Sequence, residues 1–139
     1  MAGGSNLENR KTLLVVDDDA AILEFLCDVL EPTFEVICVN GGEGALERSK
    51  DFEGTIHLLL TDFEMPGISG IELATKISVQ RPEIKVLLMS GFSQGMLILN
   101  EGWHYLPKPF IASQLITLVN GLISPPQSKF KTAALPASL

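Results

Sequence analysis

The chain has 139 residues, of which 46% are hydrophobic, and its formal net charge is -7. This length and composition allow one compact domain with one principal site. The ten Lys and Arg residues are scattered and no apolar run approaches the roughly 20 residues that span a bilayer, so we expect a cytoplasmic protein that contacts neither nucleic acid nor membrane.

Short apolar runs of strand length alternate with helical patterns along the chain. We predict strands over 12–16, 34–39, 56–61, 84–90 and 103–107. The first helical pattern spaces Ile22, Phe25, Leu26 and Val29 on one side and stops before Pro32. Further helices are predicted over 41–50, 70–82, 93–100 and 111–122. Alternation of this kind predicts a parallel sheet of five strands covered by helices on both faces.

The two ends of the chain differ in composition from its middle. We expect a tail over 1–10, one domain over 11–123, and a linker or disordered tail over 124–139, which is rich in Ser, Pro, Ala and Lys. Cys27 and Cys38 lack CxxC spacing and fall in a predicted helix and a predicted strand. We therefore predict that both are buried free thiols.

Polar residues follow four of the predicted strands. Asp17, Asp18 and Asp19 follow the first strand, Asp62 follows the third, Ser90 ends the fourth and Lys108 follows the fifth. Ligand sites of doubly wound folds lie at the carboxyl ends of the strands, so these side chains should converge. Two carboxylates about 4 Å apart repel by roughly 4 kcal/mol at an effective dielectric near 20, and a divalent cation such as Mg²⁺ would offset that repulsion. Asp19 is better explained as a helix N-cap than as a ligand.

Four motifs in this order resemble the receiver domain of two-component response regulators. They are "LLVVDDD" (13–19), "LLLTDFEMPGISG" (58–70), "VLLMSG" (86–91) and "YLPKPF" (105–110), and the likeness covers about residues 11–123. The last two look most like receivers attached to hybrid sensor histidine kinases. The resemblance implies a flavodoxin-like (CheY-like) doubly wound α/β fold. The interval from Ser90 to Lys108 is about one helical turn shorter than usual, so the fourth helix, over 93–100, should be shortened and standard dimerisation is in doubt.

The resemblance also implies a role for each residue at the strand ends. Asp62 would accept a phosphoryl group from a phosphohistidine on a sensor histidine kinase or histidine phosphotransfer domain. Asp18 and Asp62 would ligate Mg²⁺ (or Mn²⁺) directly, the backbone carbonyl of Glu64 would complete the protein ligands, and Asp17 would act through a bound water.

Lys108 would pair with Asp62 or its phosphate, and the Lys108–Pro109 bond is expected to be cis, as is frequent in the family. Ser90 would donate its hydroxyl to the phosphoryl group, and Tyr105 would fill the space that Ser90 leaves, which makes these two the switch residues. Glu64 and Phe92 flank the approach of water and would tune the lifetime of the phosphorylated form.

Other interpretations of the same residues stay open. Asp62 and Ser90 could simply serve turns, and His57 and His104 are assigned to structure. The chain could be a receiver-like binding module that is not phosphorylated. A haloacid dehalogenase-like phosphatase is remote, because it needs an acidic pair after the lysine and no Asp or Glu follows Glu101. We thus expect a signalling domain that catalyses only its own phosphorylation and dephosphorylation. Its oligomeric state is open, with a monomer favoured.

Overall fold

The computed structural model describes residues 10–91 and 103–124. Five strands and four helices occupy these ranges, and we number them in chain order. The strands are β1 (Thr12–Val16), β2 (Glu35–Val39), β3 (Leu58–Asp62), β4 (Lys85–Ser90) and β5 (Trp103–Pro107), and the helices are α1 (Ala20–Leu30), α2 (Gly42–Asp51), α3 (Gly70–Gln80) and α4 (Ala112–Ile123). The predicted strands all form, with starts shifted by two residues or fewer. The predicted helix over 93–100 lies outside the described residues.

The strands form one parallel sheet in the order β2-β1-β3-β4-β5. Its two faces are covered by different helices, as the near-continuous apolar strands predicted. Leu13, Leu60 and Met89 pack with α1 and α4 on one face. Leu14 and Leu88 pack with α2 and α3 on the other. The strand order reverses between β1 and β3, so the carboxyl ends of these two strands flank the point at which such folds bind ligands.

The pairing of the two cysteines was predicted wrongly. Cys27 on α1 and Cys38 on β2 form a disulfide, with Cα atoms 6.6 Å apart, rather than two free thiols. Alternate side chains of a strand point to opposite faces, and Cys38 lies on the face that α1 covers. Sequence spacing alone carries no information about that long-range packing.

Two polar side chains, Arg81 and His57, form hydrogen bonds near the amino ends of the strands, on the side of the sheet opposite the carboxyl ends. Arg81 donates to the backbone carbonyls of Ser49, Phe52 and Gly54 and to the Ser49 hydroxyl, so it satisfies the carboxyl end of α2 from the end of α3. His57 accepts a hydrogen bond at Nδ1 from the Thr12 backbone N–H, 3.0 Å away. His57 thus has the structural role predicted for it. Across residues 10–91 and 103–124, no helix combines the length and apolar character needed to cross a membrane.

Candidate functional site

The carboxyl end of β1 places a buried carboxylate at the rim of the sheet. Asp17 is 1% exposed, and its backbone N–H donates to the Val39 carbonyl at 3.3 Å. Its Oδ1 accepts from the Asp19 backbone N–H at 2.9 Å. Burial raises the pKa of the Asp17 carboxyl above its usual value, and the charges of Asp62 and Asp18 act in the same direction.

Asp19 caps helix α1, as predicted. Its carboxylate accepts from the backbone N–H groups of Ala21 and Ile22, at 2.9 and 3.2 Å. These are amides of the first helical turn, which have no partner within the helix. Asp19 is therefore occupied by the helix, which leaves Asp17 and Asp18 for the site.

Three carboxylates converge at this rim, from β1 and β3. Asp17, Asp18 and Asp62 each offer an oxygen, and these oxygens lie within 4.8 Å of one another. Asp17 Oδ2 is buried and has no hydrogen-bond partner among the described residues. An unsatisfied buried carboxylate oxygen is costly unless a cation or a donor meets it. The donor set consists only of hard oxygen ligands, which is the chemistry that Mg²⁺ prefers, so these residues fit a divalent cation.

Lys108 brings a positive charge to the same rim from the end of β5. Its Nζ lies 2.8 Å from Asp62 Oδ1, and the two side chains are 29% and 13% exposed. The Lys108 backbone N–H donates to the Ser90 carbonyl at 2.8 Å, and the Lys108–Pro109 bond is cis, as expected. The backbone of Lys108 is thereby tied to the end of β4, and its side chain is aimed at Asp62.

Ser90 and Tyr105 lie on neighbouring strands. Ser90 ends β4 opposite Pro107, while Tyr105 stands opposite Leu88, two residues before Ser90. Because side chains alternate along a strand, Ser90 and Tyr105 share the face covered by α2 and α3. Ser90 is 3% exposed and Tyr105 is half-buried. This placement is compatible with a concerted movement of the two side chains.

The loop after Asp62 is closed by the start of α3. The Phe63 backbone N–H donates to the Met89 carbonyl at 2.7 Å, and the Gly70 N–H donates to the Phe63 carbonyl at 2.9 Å. A Cβ atom at Gly70 would lie only 2.1 Å from the Asp62 carbonyl oxygen. Glu64, in the middle of this loop, is exposed. Phe92, the other predicted tuning residue, lies outside the described residues.

A family comparison agrees with this geometry. The family model of the response regulator receiver domain matches residues 13–120. The chain belongs to the response regulator receiver domain family. The match includes every residue that the sequence assigned to the site, from Asp17 to Lys108.

Similar proteins place this receiver domain in two-component signalling. A DNA-binding transcriptional regulator NtrC from Azospirillum brasilense is 33% identical over 132 residues, which cover 91% of this chain and 26% of that protein. The response regulator receiver protein CpdR from Brucella abortus is 36% identical over 84 residues, covering 60% of this chain and 68% of that protein. The receiver domain spans about a quarter of the length of the first relatives that it matches.

Solved structures share the fold. The receiver domain of the hybrid histidine kinase CckA has a TM-score of 0.72 at 30% identity and covers 81% of this chain and 99% of its own. The response regulator TrrA from Thermotoga maritima, in complex with Mg²⁺ and BeF, has a TM-score of 0.69 at 33% identity, covering 81% of this chain and 98% of its own. The CheY-like fold predicted from the motifs is confirmed.

The structure brings together most residues that the sequence selected for the receiver site. Asp17, Asp18, Asp62 and Lys108 surround one point. Sequence reasoning missed the role of Gly70, which it placed only at the end of a motif and at the start of a predicted helix. A glycine at the first position of a helix, directly after the Ser69 N-cap, was the available signal, because helix starts favour glycine only modestly and a close backbone approach demands it.

Proposed function

We propose that this receiver domain accepts a phosphoryl group on Asp62 from a phosphohistidine. The supporting observation is the 2.8 Å ion pair of Asp62 with Lys108 beside two further carboxylates, those of Asp17 and Asp18. The buried Oδ2 of Asp17 has no hydrogen-bond partner in the part of the chain that the structure describes. A carboxylate so placed can act as a nucleophile whose developing charge is neutralised by neighbouring cations.

The proposed transfer is a single exchange of bonds to phosphorus. An Asp62 carboxylate oxygen forms the new O–P bond as the N–P bond of the phosphohistidine breaks, and the leaving imidazole nitrogen takes up a proton. Lys108 Nζ starts on Asp62 Oδ1 and can follow the phosphoryl oxygens with little movement. Its backbone tie to Ser90 keeps the ammonium at the site throughout.

The carboxylates of Asp18 and Asp62 would hold Mg²⁺ or Mn²⁺ together with the Glu64 backbone carbonyl, and Asp17 would act through a water. When bound, the cation supplies positive charge to the phosphoryl oxygens. The surrounding backbone would hold the oxygen ligands of the cation in place. The β1–α1 junction positions Asp17 and Asp18, and the loop closed by Gly70 positions the Glu64 carbonyl.

Ser90 and Tyr105 are the proposed switch. A phosphoryl group adds about two negative charges and strong acceptor oxygens at Asp62. The Ser90 hydroxyl would turn toward them, and Tyr105, which shares the same face of the sheet, would move into the space behind. A change of this kind shifts the population between two packings of the same fold. Glu64 and Phe92 would set the lifetime of the phosphorylated form by controlling access of water.

The proposed phosphodonor is a sensor histidine kinase or a histidine phosphotransfer domain, in the cytoplasm. The chain would act as a signalling domain whose only catalysis is its own phosphorylation and dephosphorylation, without nucleic-acid contact. Its oligomeric state stays open, with a monomer favoured. The boundaries of the domain at 11–123 and of its flanking tails remain predictions.

Incubation with acetyl phosphate and Mg²⁺, followed by intact mass, tests the central proposal. We expect the wild type to gain one phosphoryl group that alkaline hydroxylamine removes, as it should for an acyl phosphate. The Asp62→Asn variant should gain none. Asp28→Asn, which changes an exposed carboxylate on α1, is the matched control and should behave as wild type. Failure of the wild type to be phosphorylated at Asp62 by acetyl phosphate or by any phosphohistidine donor would favour the binding-module alternative.

A further inference from the structure

The disulfide between Cys27 and Cys38 joins α1 to β2, and residues at the ends of both elements form hydrogen bonds with Asp17. Cys38 directly precedes Val39, whose carbonyl accepts from the Asp17 backbone N–H. Cys27 lies on α1, whose N-cap Asp19 donates its backbone N–H to the Asp17 carboxylate. Asp17 is thus hydrogen-bonded to Val39 at the end of β2 and to Asp19 at the start of α1, and the disulfide links β2 and α1 covalently.

Because β2 lies at the edge of the sheet, the disulfide can affect the position of its carboxyl end. Among residues 10–91 and 103–124, β2 is an edge strand that pairs only with β1, so within these ranges one neighbouring strand holds its carboxyl end. The hydrogen bond from Asp17 to Val39 is 3.3 Å long, close to the limit for an N–H···O bond. A covalent link one residue away restricts the movements that would break this bond.

We infer that the Cys27–Cys38 pair is a thiol–disulfide switch that positions Asp17 and thereby sets the affinity of the acidic pocket for divalent cations. This inference rests on the proposed function only in that it uses the same cation pocket. The cysteines act through Asp17 and touch neither the cation nor the phosphoryl group, so they are positioning residues.

The two cysteine residues differ in exposure, and from this difference we infer an order for the exchange. Cys27 is 6% exposed and belongs to the core between α1 and the sheet, whereas Cys38 is half-buried on the edge strand. In oxidation by glutathione disulfide, the Cys38 thiolate attacks one glutathione sulfur and releases one glutathione thiolate. The Cys27 thiolate then attacks Cys38 in the mixed disulfide and releases the second. Two protein thiols become one disulfide as one glutathione disulfide becomes two thiols.

Mg²⁺ titrations of the full chain in glutathione buffers of different redox ratio test the inference. Thiol trapping followed by mass analysis measures the disulfide fraction, calorimetry measures the Mg²⁺ affinity, and NMR follows the Asp19 amide. We expect the oxidised form to bind Mg²⁺ about threefold more tightly than the reduced form. This is less than the roughly tenfold to 100-fold effect of residues that contact metal ligands directly, because the disulfide lies one step further away. The Asp19 amide resonance should shift with the redox state.

A double variant, Cys27→Ala with Cys38→Ala, is the control. Its Mg²⁺ affinity should match that of the reduced wild type and should not respond to the redox buffer. Closure of a short loop should also raise the midpoint of thermal unfolding of the oxidised wild type by roughly 8 °C. In the single variants, Cys38 in Cys27→Ala should react with glutathione disulfide faster than Cys27 in Cys38→Ala.

Two results would overturn the switch while leaving the proposed phosphorylation intact. One is equal Mg²⁺ affinity, with an unmoved Asp19 amide, in fully oxidised and fully reduced wild type. The other is failure of the disulfide to form in oxidising glutathione buffer. Absence of Mg²⁺ binding in both redox states would instead remove the cation pocket itself, and with it both this inference and the proposed metal requirement.

Discussion

Gly70 offers a sharp test of how the phosphoacceptor loop is built. An alanine there would place its Cβ 2.1 Å from the Asp62 carbonyl oxygen and 3.0 Å from both the Asp62 carbonyl carbon and Phe63 Cα. All three atoms belong to the backbone, so no side-chain rotation relieves the contact. Either α3 or the end of β3 must move by at least about 1.3 Å to reach ordinary van der Waals separation.

The expected cost follows from this displacement. Overpacking of a tight site typically costs 1–3 kcal/mol, and we expect the upper part of that range, about 3 kcal/mol, because the hydrogen bond from the Gly70 N–H to the Phe63 carbonyl is strained as well. For a domain of this size the midpoint of thermal unfolding should fall by roughly 10 °C. The Glu64 carbonyl lies in the displaced loop, so Mg²⁺ affinity should fall in the same variant.

Urea unfolding, followed by circular dichroism and by the fluorescence of the single tryptophan, Trp103, measures the effect. Gly121→Ala is the matched control, because Gly121 lies within α4 and an added Cβ meets nothing within 4 Å. That substitution should stabilise the protein by about 0.5–1 kcal/mol through helix propensity. Equal free energies of unfolding for Gly70→Ala and Gly121→Ala would refute the close approach of α3 to Asp62.

Three further outcomes are expected. Arg81→Ala should lower the free energy of unfolding in urea by about 3 kcal/mol, because it removes four hydrogen bonds at the end of α2. Arg81→Lys should recover less than half of this loss, since an ammonium cannot reproduce the planar set of guanidinium donors, and full recovery would contradict that requirement. Burial, aided by the charge of Lys11, lowers the pKa of His57, so the contribution of the neutral imidazole to stability is complete above pH 6.5 and is lost as the pH falls below that value. His57→Gln should flatten the pH dependence of the free energy of unfolding between about pH 5 and 7, and an unchanged slope would argue against a neutral, buried His57. Lys108→Met should raise the Mg²⁺ affinity measured by calorimetry at least about threefold, since the ammonium repels the cation and occupies Asp62 Oδ1. The same variant should be phosphorylated more slowly by acetyl phosphate. A fall in Mg²⁺ affinity would refute the competition between Lys108 and the cation for Asp62.

Local sequence patterns were sufficient to predict the architecture and the convergence of the strand-end carboxylates with Lys108. Strand length, apolar composition and helical spacing are local properties, and they predicted all five strands with starts within two residues of those observed. Asp19 could be recognised as a helix cap for the same reason, since a cap bonds only to the next turn of its own helix. Parallel strands then bring their carboxyl ends to one edge, so Asp62 and Lys108 were expected to meet before any distance was known.

Differences between neighbouring residues of the same chemical type became visible only in the folded chain. Asp17 is buried, and its Oδ2 has no hydrogen-bond partner within the described ranges, while the adjacent Asp18 is exposed. The pairing of Cys27 with Cys38 and the approach of Gly70 to the Asp62 carbonyl likewise appear only in the fold. Each depends on the position of one element relative to another, which is set by packing between residues far apart in the chain. A local sequence pattern indicates which secondary structure a segment can form. The contacts that its atoms make with distant residues depend on how whole helices and strands pack together.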